Sequence, residues 1–264
     1  MALSLASLKT RSADKPPRVL IYGPPGMGKT SLAAEFPNPI FIQVEEGTPA
    51  GLEITGWDEI KTFEDVMGGL VELLDGDHDF QTLVLDSVDK LEPLVWDFVC
   101  REQNWTSIEA PGYGKGYKEA DKPWREFLGL CSDLRLRRNM AIVHIAHSTI
   151  ERFDDPQNAS YSRYDIRLHD RAIGIFQDEV DAILFINQDV SVKEEKTAFG
   201  NKEKKAKGGG NRIIYTEGRP SFVAKNRYGF PDQFPYIQGR AYETLAPYLP
   251  QPSAPAVAQT NAAE

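Results

Sequence analysis

Cysteine is scarce: the 264 residues contain only Cys100 and Cys131. Neither belongs to a C-x-x-C pair, and each falls in an apolar stretch with helical character. A disulfide framework or zinc ribbon is therefore excluded, and two buried free thiols in a reducing compartment are expected. The four histidines show no metal-ligand spacing. No apolar run approaches the roughly 20 residues that span a bilayer. The leader MALSLASLKTRSADKPP lacks the apolar core of a signal peptide. These absences predict a cytoplasmic protein with no membrane partner. Positive charge is also short, with 30 Lys and Arg against 39 Asp and Glu, a formal net charge of −9. Such a chain does not coat nucleic acid with its whole surface, so any contact must come from local patches or mobile loops. What remains is a composition that is 41% hydrophobic, enough to bury a full core in one large α/β domain or two small ones.

Along the chain, residues 1–17 read as a flexible leader. Arg18–Tyr22 (RVLIY), Ile40–Val44 (IFIQV), Thr82–Leu85 (TLVL), Ala141–Ala146 (AIVHIA) and Ala182–Asn187 are short apolar runs, the pattern of buried strands. Between them, Thr30–Phe36, Phe63–Leu74, Val88–Arg101, Trp124–Arg138 and Arg171–Gln177 have helical character. Alternating strands and helices predict a mostly parallel central sheet flanked by helices, an α/β fold. Residues 104–122 and 148–168 read as loops, and 193–211 as a flexible charged insert between two strands. Arg212–Thr216 and Ser221–Lys225 are the last strands expected. The main domain is placed at 18–248, with a disordered Pro/Ala-rich tail at 249–264.

The chemistry starts at Gly23-Pro24-Pro25-Gly26-Met27-Gly28-Lys29-Thr30, a Walker A pattern between a strand and a helix. Its glycines let backbone N–H groups turn onto phosphate oxygens, and the helix start adds partial positive charge. Lys29 supplies a charge for the β- and γ-phosphates, the Thr30 hydroxyl is a Mg²⁺ ligand, and Ser31 follows within the nucleotide site. ATP and Mg²⁺ are the expected cofactors. Thr82–Asp86 (TLVLD) reads as Walker B, in which Asp86 holds the metal's water shell. Asp89 competes for that role, or else caps or solvates the next helix. Glu45 and Glu46 follow the second strand, where a carboxylate can activate the attacking water. They could equally be solvated loop acids. His147 ends the fourth strand as either a γ-phosphate sensor or a structural histidine.

These landmarks, in this order over roughly residues 18–235, resemble the RecA-like ATPase core. The strings GPPGMGKTSLAAEFPNPIFIQVEEG, PGYGKGY, IAHS and AKNRYG look like short, phage-encoded, core-only single-strand annealing proteins of the AAA/RecA-like group. The resemblance implies that Glu45 is the catalytic base, with Glu46 as fallback, although Gln43 stands where the family often has Asp. It places His147 where the family's polar switch is usually glutamine. It likens Val223–Arg227 to a cationic segment that reaches a neighbour's ATP, so Lys225 and Arg227 would act in trans in a homo-oligomer. It implies single-stranded DNA as partner, with a single-strand DNA-binding protein as a further candidate, in recombination or annealing. DNA loops would fall at 104–122 (Tyr113, Lys115, Tyr117, Lys118) and 148–167 (Arg152, Tyr161, Arg163, Tyr164, Arg167). The second loop also carries several acids, which count against DNA binding. Lys202, Lys204, Lys205 and Lys207 in the insert form a clamp or a solvated loop. The rival reading is an ATPase that serves replication as a loader or partner switch through protein contacts. A small-molecule kinase lacks an evident acceptor site and lid.

Overall fold

The computed structural model describes residues 15–45, 47–57, 59–196 and 202–250, with the backbone alone over 190–209. Nine strands form the sheet: β1 (Arg18–Gly23), β2 (Pro39–Gln43), β3 (Thr82–Asp86), β4 (Ala141–Phe153), β5 (Tyr161–Ile166), β6 (Ala182–Lys196), β7 (Lys202–Tyr215), β8 (Lys225–Asn226) and β9 (Gln233–Pro235). The helices are α1 (Lys29–Ala34), α2 (Phe63–Asp75), α3 (Val88–Gln103), α4 (Lys115–Glu119), α5 (Asp121–Arg137), α6 (Asp170–Glu179) and α7 (Ala241–Leu245). The strand order is β2-β3-β4-β1-β6-β7-β9, with β5 paired to β4 and β8 to β6. The contacts from β2 through β6 are parallel, whereas β7, β8 and β9 join antiparallel. This is the mostly parallel sheet flanked by helices that the alternation predicted. Among the described residues, no helix is long and apolar enough to cross a membrane.

The apolar runs are continuous because the parallel strands are buried on both faces. Alternate residues serve different cores. Leu20, Tyr22, Ile42, Leu85 and Ile142 pack with α2, α3, α5 and α6. Val19, Ile21, Phe41, Val84 and Val143 pack with residues of α1 and α7. Trp124 and Phe127 of α5 are wholly buried in the first core. A reciprocal capping box starts α2: Thr62 Oγ1 accepts from the Asp65 N–H at 3.1 Å, and Asp65 Oδ2 accepts from the Thr62 N–H at 2.8 Å.

Several expectations need correction. Residues 148–166 are not an irregular loop: β4 runs on to Phe153 and turns back as β5. Their polar sequence, with Ile150 64% exposed, lacks the apolar signature of a buried strand because this hairpin stands off the core. The 193–211 stretch is not a loop along its length. β6 and β7 pair from Phe185↔Tyr215 out to Lys196↔Lys202. Backbone pairing can extend a hairpin without alternating burial, so periodicity could not reveal it. The segment 104–122 contains α4 and the start of α5. The expected strand at 221–225 shrinks to Lys225–Asn226, and β9 was not foreseen. Leu249, assigned to the tail, is 5% exposed and belongs to the second core.

Candidate functional site

Register brings the motifs to one edge of the sheet. Gly23 pairs with His147, and Gln43 pairs with Asp86. The carboxyl ends of β1, β2 and β3 and the middle of β4 at His147 therefore meet where ligands of open α/β sheets bind. At that edge the P-loop turns through Gly26 (φ +76°) and Gly28 (φ +94°), left-handed conformations that a side chain resists. Pro25 and Gly26 form its exposed crest, with Pro24 half-buried beside them. Lys29 is 6% exposed and folds back, its Nζ donating to the carbonyls of Gly23 and Pro24 at 3.1 Å each. Burial lowers its pKa, opposed by the nearby carboxylates of Asp86, Asp89 and Glu45.

Thr30 Oγ1 donates to Asp86 Oδ2 at 2.7 Å, so the Walker A hydroxyl and the Walker B acid share one point. Burial raises the Asp86 pKa, and the Thr30 hydrogen bond and the Lys29 charge resist it. An adjoining hydroxyl and carboxylate form the oxygen donor set that suits Mg²⁺, which takes few protein ligands and completes its shell with phosphate and water. Among the described residues, no group of three or more His, Cys, Asp or Glu side chains could hold a metal by itself. A divalent ion here would thus rest on Thr30, Asp86 and the nucleotide.

Asp89 is neither a helix cap nor a solvated acid. It lies on the first turn of α3 and accepts the His147 N–H at 2.9 Å. Its Oδ2 also faces His147 Nδ1 at 3.1 Å and accepts from Arg167 Nε at the same distance. Burial works to raise the Asp89 pKa, but these bonds outweigh it and hold the carboxyl well below its ordinary range. A carboxylate only accepts, so the imidazole proton sits on Nδ1 and Nε2 turns toward Glu45, whose Oε1 lies 3.8 Å away. Glu45 Oε2 is 3.8 Å from Lys90 Nζ. Glu46 lies outside the described residues. Glu45, Asp86, Asp89, His147 and Arg167 thus gather around Lys29. The sequence reading left Asp89 undecided and assigned Arg167 to a DNA loop. One signal was available, an acid one helical residue past Walker B.

One turn along α3, Glu92 is 7% exposed and accepts the His169 N–H at 3.0 Å. Burial, reinforced by Asp89, raises its pKa to about 7. His169 stacks on Tyr117 with ring centroids 4.1 Å apart. Tyr117 also meets Trp96 edge-on, so it is committed to packing rather than free for bases. Tyr113 is fully exposed at φ +51° between Gly112 and Gly114. In the β4–β5 hairpin, Arg163 bonds Asp165 at 2.7 Å and Arg152 bonds Asp154 at 3.1 Å. Those arginines are therefore paired locally. Lys202, Lys204, Lys205 and Lys207 fall on β7, within the stretch given as backbone alone.

A second group missed by the sequence reading holds the P-loop from the side. Arg212 Nη1 donates to the Met27 carbonyl at 3.0 Å, and Tyr236 Oη donates to the Gly28 carbonyl at 2.9 Å. The guanidinium lies 4.3 Å over the Tyr236 ring, and Ser31 sits beside the Tyr236 hydroxyl. These residues come from β7 and the end of β9, nearly two hundred positions away in the chain.

Lys225 and Arg227, likened above to cations that act in trans, have partners within the subunit. β8 pairs with Ala182 and Ile183 at the start of β6, the end of the sheet opposite the P-loop. Lys225 Nζ donates to the carbonyls of Gln177 and Val180, where α6 ends, and Arg227 Nη1 reaches Asp181 at 3.4 Å. Carbonyls left over at a helix end attract a cation. Both side chains thus have acceptors within the subunit, at the end of the sheet away from the P-loop.

The chain matches no curated protein. A family model described as an AAA domain matches residues 15–228. Together with the P-loop, the Thr30–Asp86 pair and the parallel sheet, that match shows that the chain belongs to this AAA-domain family of P-loop ATPases.

Proposed function

We propose that this protein hydrolyses ATP and uses the nucleotide state to control binding of single-stranded DNA. The observation that carries the reading is Asp89, which joins the phosphate site to a polar chain leading outward. Lys29 and the P-loop N–H groups bind and orient the triphosphate. Bound Mg²⁺ supplies charge neutralisation at the phosphates. Thr30 and Asp86 hold that ion's place. Glu45 takes a proton from the attacking water, and His147, fixed by Asp89, stands beside it with Nε2 as a further acceptor for that water. The path from Asp89 along α3 to Glu92, His169 and Tyr117 leads into α4, which bears Lys115 and Lys118, and the turn at Tyr113 just before it. An exposed aromatic among lysines suits base stacking and phosphate pairing.

The test is fluorescence anisotropy of a labelled oligonucleotide across a salt series, with and without ATP. ATP should tighten binding. A Lys115→Ala/Lys118→Ala variant should lower the salt slope by about 1.4, at roughly 0.7 for each lost phosphate contact. Tyr113→Ala should weaken binding about tenfold by loss of one stacked base. Absence of binding by the parent at low salt refutes the DNA reading and favours a partner switch acting through protein contacts.

A further inference from the structure

We propose that the cleft beside the P-loop, walled by Asp189, Asn211, Arg212, Tyr236 and Ile237, is the base subsite of the nucleotide and selects an amino-bearing purine. The inference rests on the nucleotide-binding reading and extends it to the part of the ligand that the Walker motifs do not contact.

Continuity comes first. A base attached to a P-loop triphosphate must lie within one sugar's reach of that loop. Arg212 and Tyr236 touch the P-loop directly, at the Met27 and Gly28 carbonyls. The cleft contains no P-loop residue itself, but two of its wall residues bond that loop, whereas no wall residue of two other clefts, one walled by Lys61, Leu94 and Trp105 and one by Lys118, Lys122 and Arg125, bonds it among the described residues. Size agrees: the cleft holds about 390 Å³, within the range of small-molecule sites.

The shape has a local cause. The β6–β7 ladder is regular up to Gln188↔Arg212 and resumes only at Val190↔Gly208, so Asp189 lies in a bulge opposite Gly210 (φ +73°) and Asn211. A bulge re-aims side chains beside functional sites, and this one places a carboxylate and an amide on the cleft wall.

The chemistry of the walls fits a base. Arg212 Cζ lies 4.3 Å from the centre of the Tyr236 ring, its Nη1 is tied to the Met27 carbonyl, and a guanidinium offers a stacking surface for bases. Ile237, next in the chain, is 50% exposed, an apolar face that a base would cover. Asp189, as a carboxylate, only accepts hydrogen bonds. It therefore favours the amino group of adenine over the carbonyl at the same position of hypoxanthine or guanine. Asn211 supplies both a donor and an acceptor.

The experiment measures affinities of the full chain with Mg²⁺ by calorimetry, using ATP, ITP and inorganic tripolyphosphate as ligands. The parent should bind ATP more tightly than ITP, and both more tightly than tripolyphosphate. Arg212→Lys and Ile237→Ala should each cut the ratio of ATP to tripolyphosphate affinity, by about tenfold for loss of a stacked base. Asp189→Asn should cut the ATP-over-ITP preference about fivefold, the value of one hydrogen bond. Asp189 and Ile237 are exposed, so those two variants keep the fold and remain informative if Arg212→Lys does not. Ratios within twofold of the parent in the Asp189 and Ile237 variants overturn the base subsite while leaving P-loop binding intact. If Lys29→Ala changes the affinity of neither ATP nor tripolyphosphate, the nucleotide reading itself falls, and the base subsite with it.

Discussion

The carboxylate of Asp89 receives the main-chain N–H of His147 at 2.9 Å and its imidazole Nδ1 at 3.1 Å, so one acid fixes both the position and the tautomer of the last residue that β4 pairs with β1. The bond to the main chain holds β4 at the point where it passes from pairing with β1 to pairing with β5. The bond to the ring turns Nε2 toward Glu45. Replacing Asp89 by Asn should therefore lower stability by about 2 kcal/mol, because a charged acceptor for two partners is lost and half-exposed Arg167 can turn to water. Turnover should fall while ATP affinity changes little. Denaturant melts and single-turnover kinetics check the two effects separately, and an unchanged rate would remove His147 from the mechanism.

Lys29→Ala should reduce steady-state ATP hydrolysis at least about a hundredfold with little loss of fold, since the ammonium bonds only P-loop carbonyls and does not pack in the apolar core. Circular dichroism alongside a phosphate-release assay is the measurement. Turnover within a few-fold of the parent would contradict the P-loop assignment.

Glu45→Gln should keep ATP binding and abolish hydrolysis, whereas Glu46→Gln should do much less. Glu45 has the position for a base, close to His147 and near enough to Lys29 to act on its charge. Nucleotide affinity and turnover measured on both variants decide the matter. The opposite ranking would move the base to Glu46.

Gly28→Ala should weaken nucleotide binding by about tenfold or more. The backbone there has φ +94°, and an added Cβ would stand 2.3 Å from Tyr236 Oη. The P-loop would have to shift away from its lateral support. Titration with a fluorescent ATP analogue tests this, and parent-like affinity would show that the loop tolerates that shift.

Glu92 makes stability depend on pH. Its carboxyl titrates near 4.5 when unfolded and is raised to about 7 in the fold. A raised acid pKa means the native state holds the proton more tightly, so this contribution is complete below pH 4.5 and is lost as pH climbs through 7. Glu92→Gln keeps an acceptor for the His169 N–H without the ionisation. The variant should become more stable than the parent on going from pH 5 to pH 8, by about 2 kcal/mol. Parallel melting curves across that interval check the sign, and parallel behaviour of the two proteins would exclude Glu92 as the titrating group.

The parallel sheet and the Walker residues were legible because their signals are local. Five apolar runs, each too short for a helix, could be buried only as strands of a covered sheet, and Gly23–Thr30 carries its own turn chemistry. The β4–β5 hairpin and the paired β6–β7 arms were not legible. Their strands are polar, and backbone hydrogen bonding between arms leaves no mark in hydrophobic periodicity. The local partners of Lys225 and Arg227 were not legible for a related reason: their acceptors lie at the end of α6 and on Asp181, more than forty residues earlier.

By itself, the sequence determined the P-loop, its strand–turn–helix setting, the Walker B acid and the α/β class, because each depends on residues within one or two turns of one another. Only the tertiary structure decided which acids meet at Lys29, that Asp89 serves His147 and Arg167, and that Arg212 and Tyr236 hold the P-loop. Those contacts depend on strand order and register, which are set by how the two faces of the sheet bury their alternate side chains.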